Sequence, residues 1–181
     1  MSYWFDKYKE PKVYKKILSD EVCDYLINKT KNNLCASRTG GGVTMYRVSD
    51  SAFLHYDEDP IVKKIFEKLQ SITGQDYRKY ECLNVTRYLK GGYYKVHQDA
   101  DLSTNKREEN RIFTAIFYLN DNYEGGETVF PYLRKKYKLS KGDMLLFNSF
   151  NEAGFKTKYS IHGGDLITKG EKWISVVWGR K

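Results

Sequence analysis

The chain has 181 residues, 40% of them hydrophobic and 30% charged, a length that suits one compact domain and leaves little room for two. Its three cysteines, Cys23, Cys35 and Cys82, lack CxxC spacing and suggest neither a disulfide framework nor a zinc knuckle, and no apolar run approaches the roughly 18 residues of a membrane-spanning helix. The excess of 31 Lys and Arg over 23 Asp and Glu, a net charge of +8, suits a basic solvated surface, an acidic cosubstrate, an acidic peptide or nucleic acid, and does not choose among them.

The amino-terminal stretch MSYWFDKYKEPKVYKK has no apolar h-region, so no secretion signal or anchor is expected. With an odd number of cysteines it points to reducing, cytoplasmic surroundings. Residues 19 to 31 predict a helix: Ser19 caps it, Asp20 and Glu21 suit its first turn, and Val22, Cys23, Leu26, Ile27 and Thr30 share one face. RTGGGV, 38 to 43, reads as an irregular surface loop or a lid.

A second helix is predicted over 59 to 73. Asp59 is its N-cap and Pro60 its first residue, Ile61, Val62, Ile65, Phe66, Leu69 and Ile72 form a buried stripe, and Gly74 ends it. The two helices are expected to cover one face of a sheet. From about residue 80 the pattern changes to short runs of β-branched and aromatic residues broken by Gly, Asn and Asp, consistent with 16 tyrosines in the chain. Strands are predicted over 82 to 88, 93 to 97, 112 to 119, 127 to 130, 137 to 139, 144 to 147, 158 to 162 and 172 to 178. So many strands without intervening helices predict a mainly β protein with flanking amino-terminal helices and an antiparallel sandwich or jelly-roll core. ADLSTNKREEN, 100 to 110, reads like the earlier loop.

The chemistry-bearing pattern begins at YYKVHQDAD. His97 and Asp99, two apart on an extended segment, project to the same side with Cα atoms about 6.5 to 7 Å apart, so both can reach one metal ion. Such a spacing is common by chance. His162, in KYSIHGGDLITKGEKW, is the one further histidine in this half of the chain, at the end of a predicted strand. Two histidines and a carboxylate with open positions make the facial triad of non-haem Fe(II) oxygenases; a surface or satisfied histidine is the alternative. In KWISVVW, alternation puts Lys172, Ile174, Val176 and Trp178 on one face and Trp173, Ser175 and Val177 on the other. If the first face is inward, Lys172 is a buried cation that calls for an anion; if not, it is a solvated lysine. His55 reads as a surface histidine, LRKKYK as a solvated hairpin or a polyanion patch, and Glu127 as structural or solvent-facing.

RYLKGGYYKVHQD, EGGETVFP, KGDMLLF and HGGDLITKGEKW, in that order, resemble the catalytic domain of the prolyl 4-hydroxylases in its compact form. The likeness extends upstream through MYRVSDSAFL and the helix from Asp59. It implies a double-stranded β-helix over about 80 to 180 with helical support over about 14 to 75, as one domain of residues 1–181. It implies Fe(II), 2-oxoglutarate and O2 as reactants, with ascorbate as a reductant, and hydroxylation of peptidyl proline with release of succinate and CO2. By matching position, His97, Asp99 and His162 would hold iron, Lys172 the far carboxylate of 2-oxoglutarate, and Tyr88 and Thr128 would donate hydroxyls to it. Tyr94, Trp178 and Arg111 would meet the substrate. Gln98 stands where an aromatic residue is common, and Arg180 where relatives often carry histidine. Other readings are the same chemistry on a lysyl side chain, a free amino acid or a nucleobase, a zinc hydrolase, or a binding module without turnover. Nucleic acid is disfavoured because the RxNxTxR signature of nucleobase demethylases is absent after His162, and no membrane partner is expected.

Overall fold

The computed structural model describes residues 7–38, 45–100 and 110–181. The expected loops at 38 to 43 and 100 to 110 therefore lie, apart from Arg38, Ala100 and Asn110, outside the described residues. After strand β1 (Lys12–Tyr14) comes helix α1 (Asp20–Thr30), where the Ser19 hydroxyl accepts from the Val22 amide and Cys23, Leu26 and Thr30 are buried. Three short strands follow, β2 (Cys35–Ala36), β3 (Arg47–Val48) and β4 (Asp50–Leu54). They fall within the stretch expected to be helical support, and two of them are too short to show a period. Helix α2 (Pro60–Thr73) has the expected ends, with the Asp59 carboxylate accepting from the Ile61 and Val62 amides and Gly74 left-handed at φ 71°. Asp59 also accepts from the Tyr25 hydroxyl at 2.9 Å and pairs with Lys29 at 2.8 Å, which ties α1 to the start of α2.

The carboxy-terminal half supplies β5 (Leu83–Tyr88), β6 (Tyr93–His97), β7 (Arg111–Tyr118), β8 (Glu124–Gly125), β9 (Thr128–Phe130), β10 (Lys135–Tyr137), β11 (Met144–Asn148), β12 (His162–Gly164), β13 (Ile167–Lys169) and β14 (Lys172–Arg180). The strand expected over 158 to 162 is instead a 3₁₀ turn at Lys158–Ser160, and His162 opens a strand rather than ending one. The turn forms because the Thr157 hydroxyl accepts from the Tyr159 amide, a local bond that competes with the sheet ladder. Gly163 and Gly164, which follow His162, lie inside β12. The hairpin strand expected at 137 to 139 is shifted to 135 to 137.

Every registered strand pairing is antiparallel, in a seven-stranded sheet of order β1-β11-β7-β14-β5-β4-β2, a five-stranded sheet of order β10-β9-β12-β6-β3 and a two-stranded β13-β8 ribbon. This is the expected jelly roll. One core joins the helices to the large sheet through Cys23, Leu26, Phe66, Leu69, Val85, Phe117, Trp173 and Val177. A second lies on its other face and takes Tyr88, Ile116, Tyr118, Phe130, Phe147, Ile174, Val176 and Trp178. Alternation on β14 is therefore as predicted, with even-numbered side chains turned towards the small sheet. No helix among the described residues is long and apolar enough to cross a membrane.

The β6–β12 contact is close at Gly163, where a Cβ would stand 2.9 Å from the Tyr94 carbonyl oxygen and 3.1 Å from the Val96 nitrogen. Both neighbours are backbone and cannot rotate away. Gly163→Ala is expected to cost about 1–3 kcal/mol and lower Tm by several degrees, measured by thermal unfolding. An unchanged Tm would mean that the ladder relaxes freely.

Candidate metal centre and pocket

Antiparallel register sets His162 opposite His97, and the turn after β6 carries Asp99 back towards both. The donor atoms of the three residues lie within 4.8 Å of one another, and they are the one such His, Cys, Asp or Glu cluster among the described residues. His97 Nε2 is 3.5 Å from Asp99 Oδ1, and His162 Nε2 is 3.6 Å from Asp99 Oδ2. Each histidine turns its other nitrogen to a backbone carbonyl, His97 Nδ1 to Lys95 at 2.8 Å and His162 Nδ1 to Ser160 at 3.0 Å. Donation from Nδ1 fixes the tautomer whose Nε2 lone pair faces Asp99, the orientation a metal ligand needs.

Packing holds these rings. Tyr94 stacks on His97 with centroids 3.7 Å apart, and His162 lies against Phe130 and Phe147 at 5.5 and 4.6 Å. Burial pushes the His162 imidazole down to about 4, against the attraction of Asp99, so it is neutral near pH 7. Burial alone would raise Asp99, but His162, His97 and the Thr114 hydroxyl together hold it far below the usual carboxylate range. Thr114 donates to Asp99 Oδ2 at 2.5 Å. Two imidazole donors and one carboxylate on one side fit a divalent iron and leave its other positions for small ligands.

The three donors share one pocket with Lys172, Tyr88, Thr128, Tyr94 and Trp178. Lys172 is 3% exposed and stands opposite Tyr88 in the β14–β5 pairing. Its ammonium donates to the Gly126 carbonyl at 2.7 Å and lies 5.1 Å from the Tyr118 ring centroid, with Tyr88 and Tyr123 each at 5.9 Å. It forms no ion pair among the described residues. Burial pushes it down to about 8, partly opposed by Glu127 and Asp165. A buried ammonium with one hydrogen bond is costly, and an anionic ligand in the pocket would supply what it lacks.

Thr128 is buried, and its hydroxyl is 2.7 Å from that of Tyr118, so the two form one polar pair near the lysine. Arg111 does not line the pocket. It makes a bidentate pair with Glu81, both contacts 2.7 Å, and stacks its guanidinium 4.0 Å over Trp178, so it buttresses the residue that does line it. Sequence reasoning missed Thr114 and Tyr118, which alternation on β7 places on the inner face with Ile116. It also missed Arg47, which lines the pocket 4.9 Å over the Tyr94 ring and donates to the Ser49 and Thr86 hydroxyls at 2.8 and 2.9 Å. A two-residue strand gives no periodic signal for it. His55 is exposed as expected, though 3.3 Å from Cys82 Sγ. In the LRKKYK run Lys135 pairs with Glu10, Lys136 with Asp165 and Lys138 with the Tyr123 carbonyl, so the local structure already uses this charge.

Residues 83–180 match the 2OG-Fe(II) oxygenase superfamily, the region that holds the three donors, Lys172 and the rest of the pocket except Arg47. The chain belongs to this superfamily. It is 32% identical over 195 residues to prolyl 4-hydroxylase 2 of Arabidopsis thaliana, which covers 92% of this chain and 65% of the relative. It is 32% identical over 185 residues to prolyl 4-hydroxylase subunit alpha-2 of Gallus gallus, 96% of this chain and 35% of the relative. The chain thus spans about a third of the animal subunit. Among solved structures it resembles the viral collagen prolyl hydroxylase of Paramecium Bursaria Chlorella virus-1 in its 2OG complex, with a TM-score of 0.79, 29% identity, and coverage of 94% and 95%. The jelly roll expected from the strand pattern, and the oxygenase fold implied by the family resemblance, are therefore shared with a hydroxylase solved in a 2OG complex.

Asp99→Asn keeps the shape of the carboxylate and removes its charge. In this oxygenase it is expected to abolish Mn²⁺ binding detectable by calorimetry, whereas retained binding would place the metal elsewhere.

Proposed function

We propose that this chain is a prolyl 4-hydroxylase, in which His97, Asp99 and His162 hold Fe(II), Lys172 takes the far carboxylate of 2-oxoglutarate, and a peptidyl proline enters between aromatic side chains. The observation that carries the reading is the buried, carboxylate-free ammonium of Lys172 in the pocket that also holds the triad. A zinc hydrolase would give that lysine no purpose. When bound, Fe(II), 2-oxoglutarate and O2 supply the chemistry, oxidative decarboxylation to succinate and CO2 coupled to hydroxylation of a C–H bond.

The protein's part is positional. Asp99 would leave a metal charge of +1 for the 2-oxo acid to neutralise, while burial keeps the His162 imidazole neutral. Lys172 fixes the opposite end of the cosubstrate, with Tyr88 and the Thr128–Tyr118 pair offering hydroxyls beside it. Tyr94, stacked on His97, and Trp178, backed by Arg111, give the pocket apolar aromatic surfaces suited to a proline ring. A proline-rich segment is pre-extended and loses little freedom on entering such a site. The whole chain acts as one domain in this reading, since β5, β7 and β14 belong to both cores. Three free cysteines suit a reducing compartment such as the cytoplasm.

Mass spectrometry of proline-rich peptides, including Pro-Gly repeats, incubated with protein, Fe(II), 2-oxoglutarate, ascorbate and air is expected to show one added oxygen on proline, matched by succinate and lost in His97→Ala. Succinate without peptide oxidation would move the search to other substrates. Neither product, with iron bound, would leave a binding module. Lys172→Ala is expected to raise the KM for 2-oxoglutarate about a hundredfold, the loss of about 3 kcal/mol from a buried ion pair. The lysine's depression to about 8 sets a pH dependence of known sign. Below that value the ammonium is charged and 2-oxoglutarate affinity is flat; above it affinity falls by up to about tenfold per pH unit, because binding requires proton uptake. Titration of 2-oxoglutarate from pH 6.5 to 9.5 should show this in the wild type and not in Lys172→Ala.

A further inference from the structure

Gln98 sits between two metal-ligand candidates, His97 and Asp99. Its amide nitrogen donates to the Thr157 carbonyl and to the Ser160 hydroxyl, each at 3.0 Å, across 59 and 62 positions of sequence. Ser160 is the residue whose carbonyl accepts from His162 Nδ1, and its hydroxyl bonds back to the Thr157 carbonyl at 2.8 Å. One amide therefore joins the segment bearing His97 and Asp99 to the turn that orients His162. The ladder between β6 and β12 ends at the His97–His162 pair, with a register irregularity just inside it, so ladder bonds do not fix the spacing beyond that pair.

We propose that Gln98 is a positioning residue of the metal centre: by donating its amide to the 157–160 turn, it sets the His162 imidazole against the His97–Asp99 pair. The inference rests on reading the triad as the metal site. An aromatic side chain at this position would fill space but has no amide to donate to the adjacent Thr157 carbonyl and Ser160 hydroxyl, which lie 2.8 Å apart. An apolar residue of similar length would leave the Thr157 carbonyl and Ser160 hydroxyl without these donors and free the turn to shift.

The test is calorimetric titration of the full chain with Mn²⁺, with visible absorption of the Co²⁺-loaded protein alongside. Gln98→Met is expected to weaken Mn²⁺ binding about 10- to 100-fold and to change the Co²⁺ bands, while the KM for 2-oxoglutarate at saturating metal stays within about twofold of wild type. Ser160→Ala, which removes the acceptor hydroxyl and keeps the carbonyl, is expected to show a smaller loss, and the double variant little more than Gln98→Met alone. Mn²⁺ affinity of Gln98→Met within about threefold of wild type, with an unchanged Co²⁺ spectrum and binding lost in His97→Ala, would overturn the positioning role alone. Binding retained in His97→Ala would overturn the metal-centre reading and this inference with it. If Gln98→Met does not fold, Gln98→Glu decides, since it keeps the shape and replaces the donating amide by an acceptor: altered Co²⁺ bands support the role, and wild-type bands with wild-type Mn²⁺ affinity overturn it.

Discussion

The antiparallel pairing of β6 with β12 is the constraint on which the site depends. It sets His97 opposite His162 and lets the chain leaving β6 bring Asp99 within 3.6 Å of the second histidine. A slip of one residue would turn one imidazole to the other face of the sheet and separate the donors. Gly163 makes the close approach possible, because any side chain there meets backbone atoms of β6. The two Nδ1 bonds to carbonyls and the aromatic contacts then fix rings that the register has already brought together.

A second ordering principle is electrostatic. Asp99 supplies negative charge at one end of the pocket, and Lys172 places a buried positive charge among tyrosine rings at the other. Each would be expensive by itself in this setting. The pocket thus holds a buried carboxylate and a buried ammonium in one lining. Arg47 adds a second cation, held by serine and threonine hydroxyls and stacked on Tyr94, so the wall that meets the histidines is also charged.

The two cores divide the work. The core between the helices and the large sheet buries Phe66, Leu69 and Val177 and carries most of the large apolar side chains away from the pocket. The inner one is interrupted by Lys172, Thr128 and Thr114, polar groups that a purely structural core would avoid. Stability drawn from the first allows the second to hold unfavourable groups at fixed positions, as preorganised sites require.

What the sequence determined by itself is what depends on near neighbours along the chain. The caps at Ser19, Asp59 and Gly74 bounded both helices through bonds spanning a few residues, and the period-two pattern of β14 assigned Lys172 and Trp178 to one face, which the sheets then turned inward. Family resemblance supplied the pocket residues Tyr88, Thr128 and Tyr94, none of which has a periodic signature of its own. Tertiary structure alone decided the rest. The opposition of His97 and His162, the Thr114 bond to Asp99, the Gln98 tie to the 157–160 turn, the retreat of Arg111 behind Trp178 and the presence of Arg47 all join segments distant in sequence. Their geometry is set by strand register and by which sheet each strand enters, and neither quantity leaves a mark in the local order of residues.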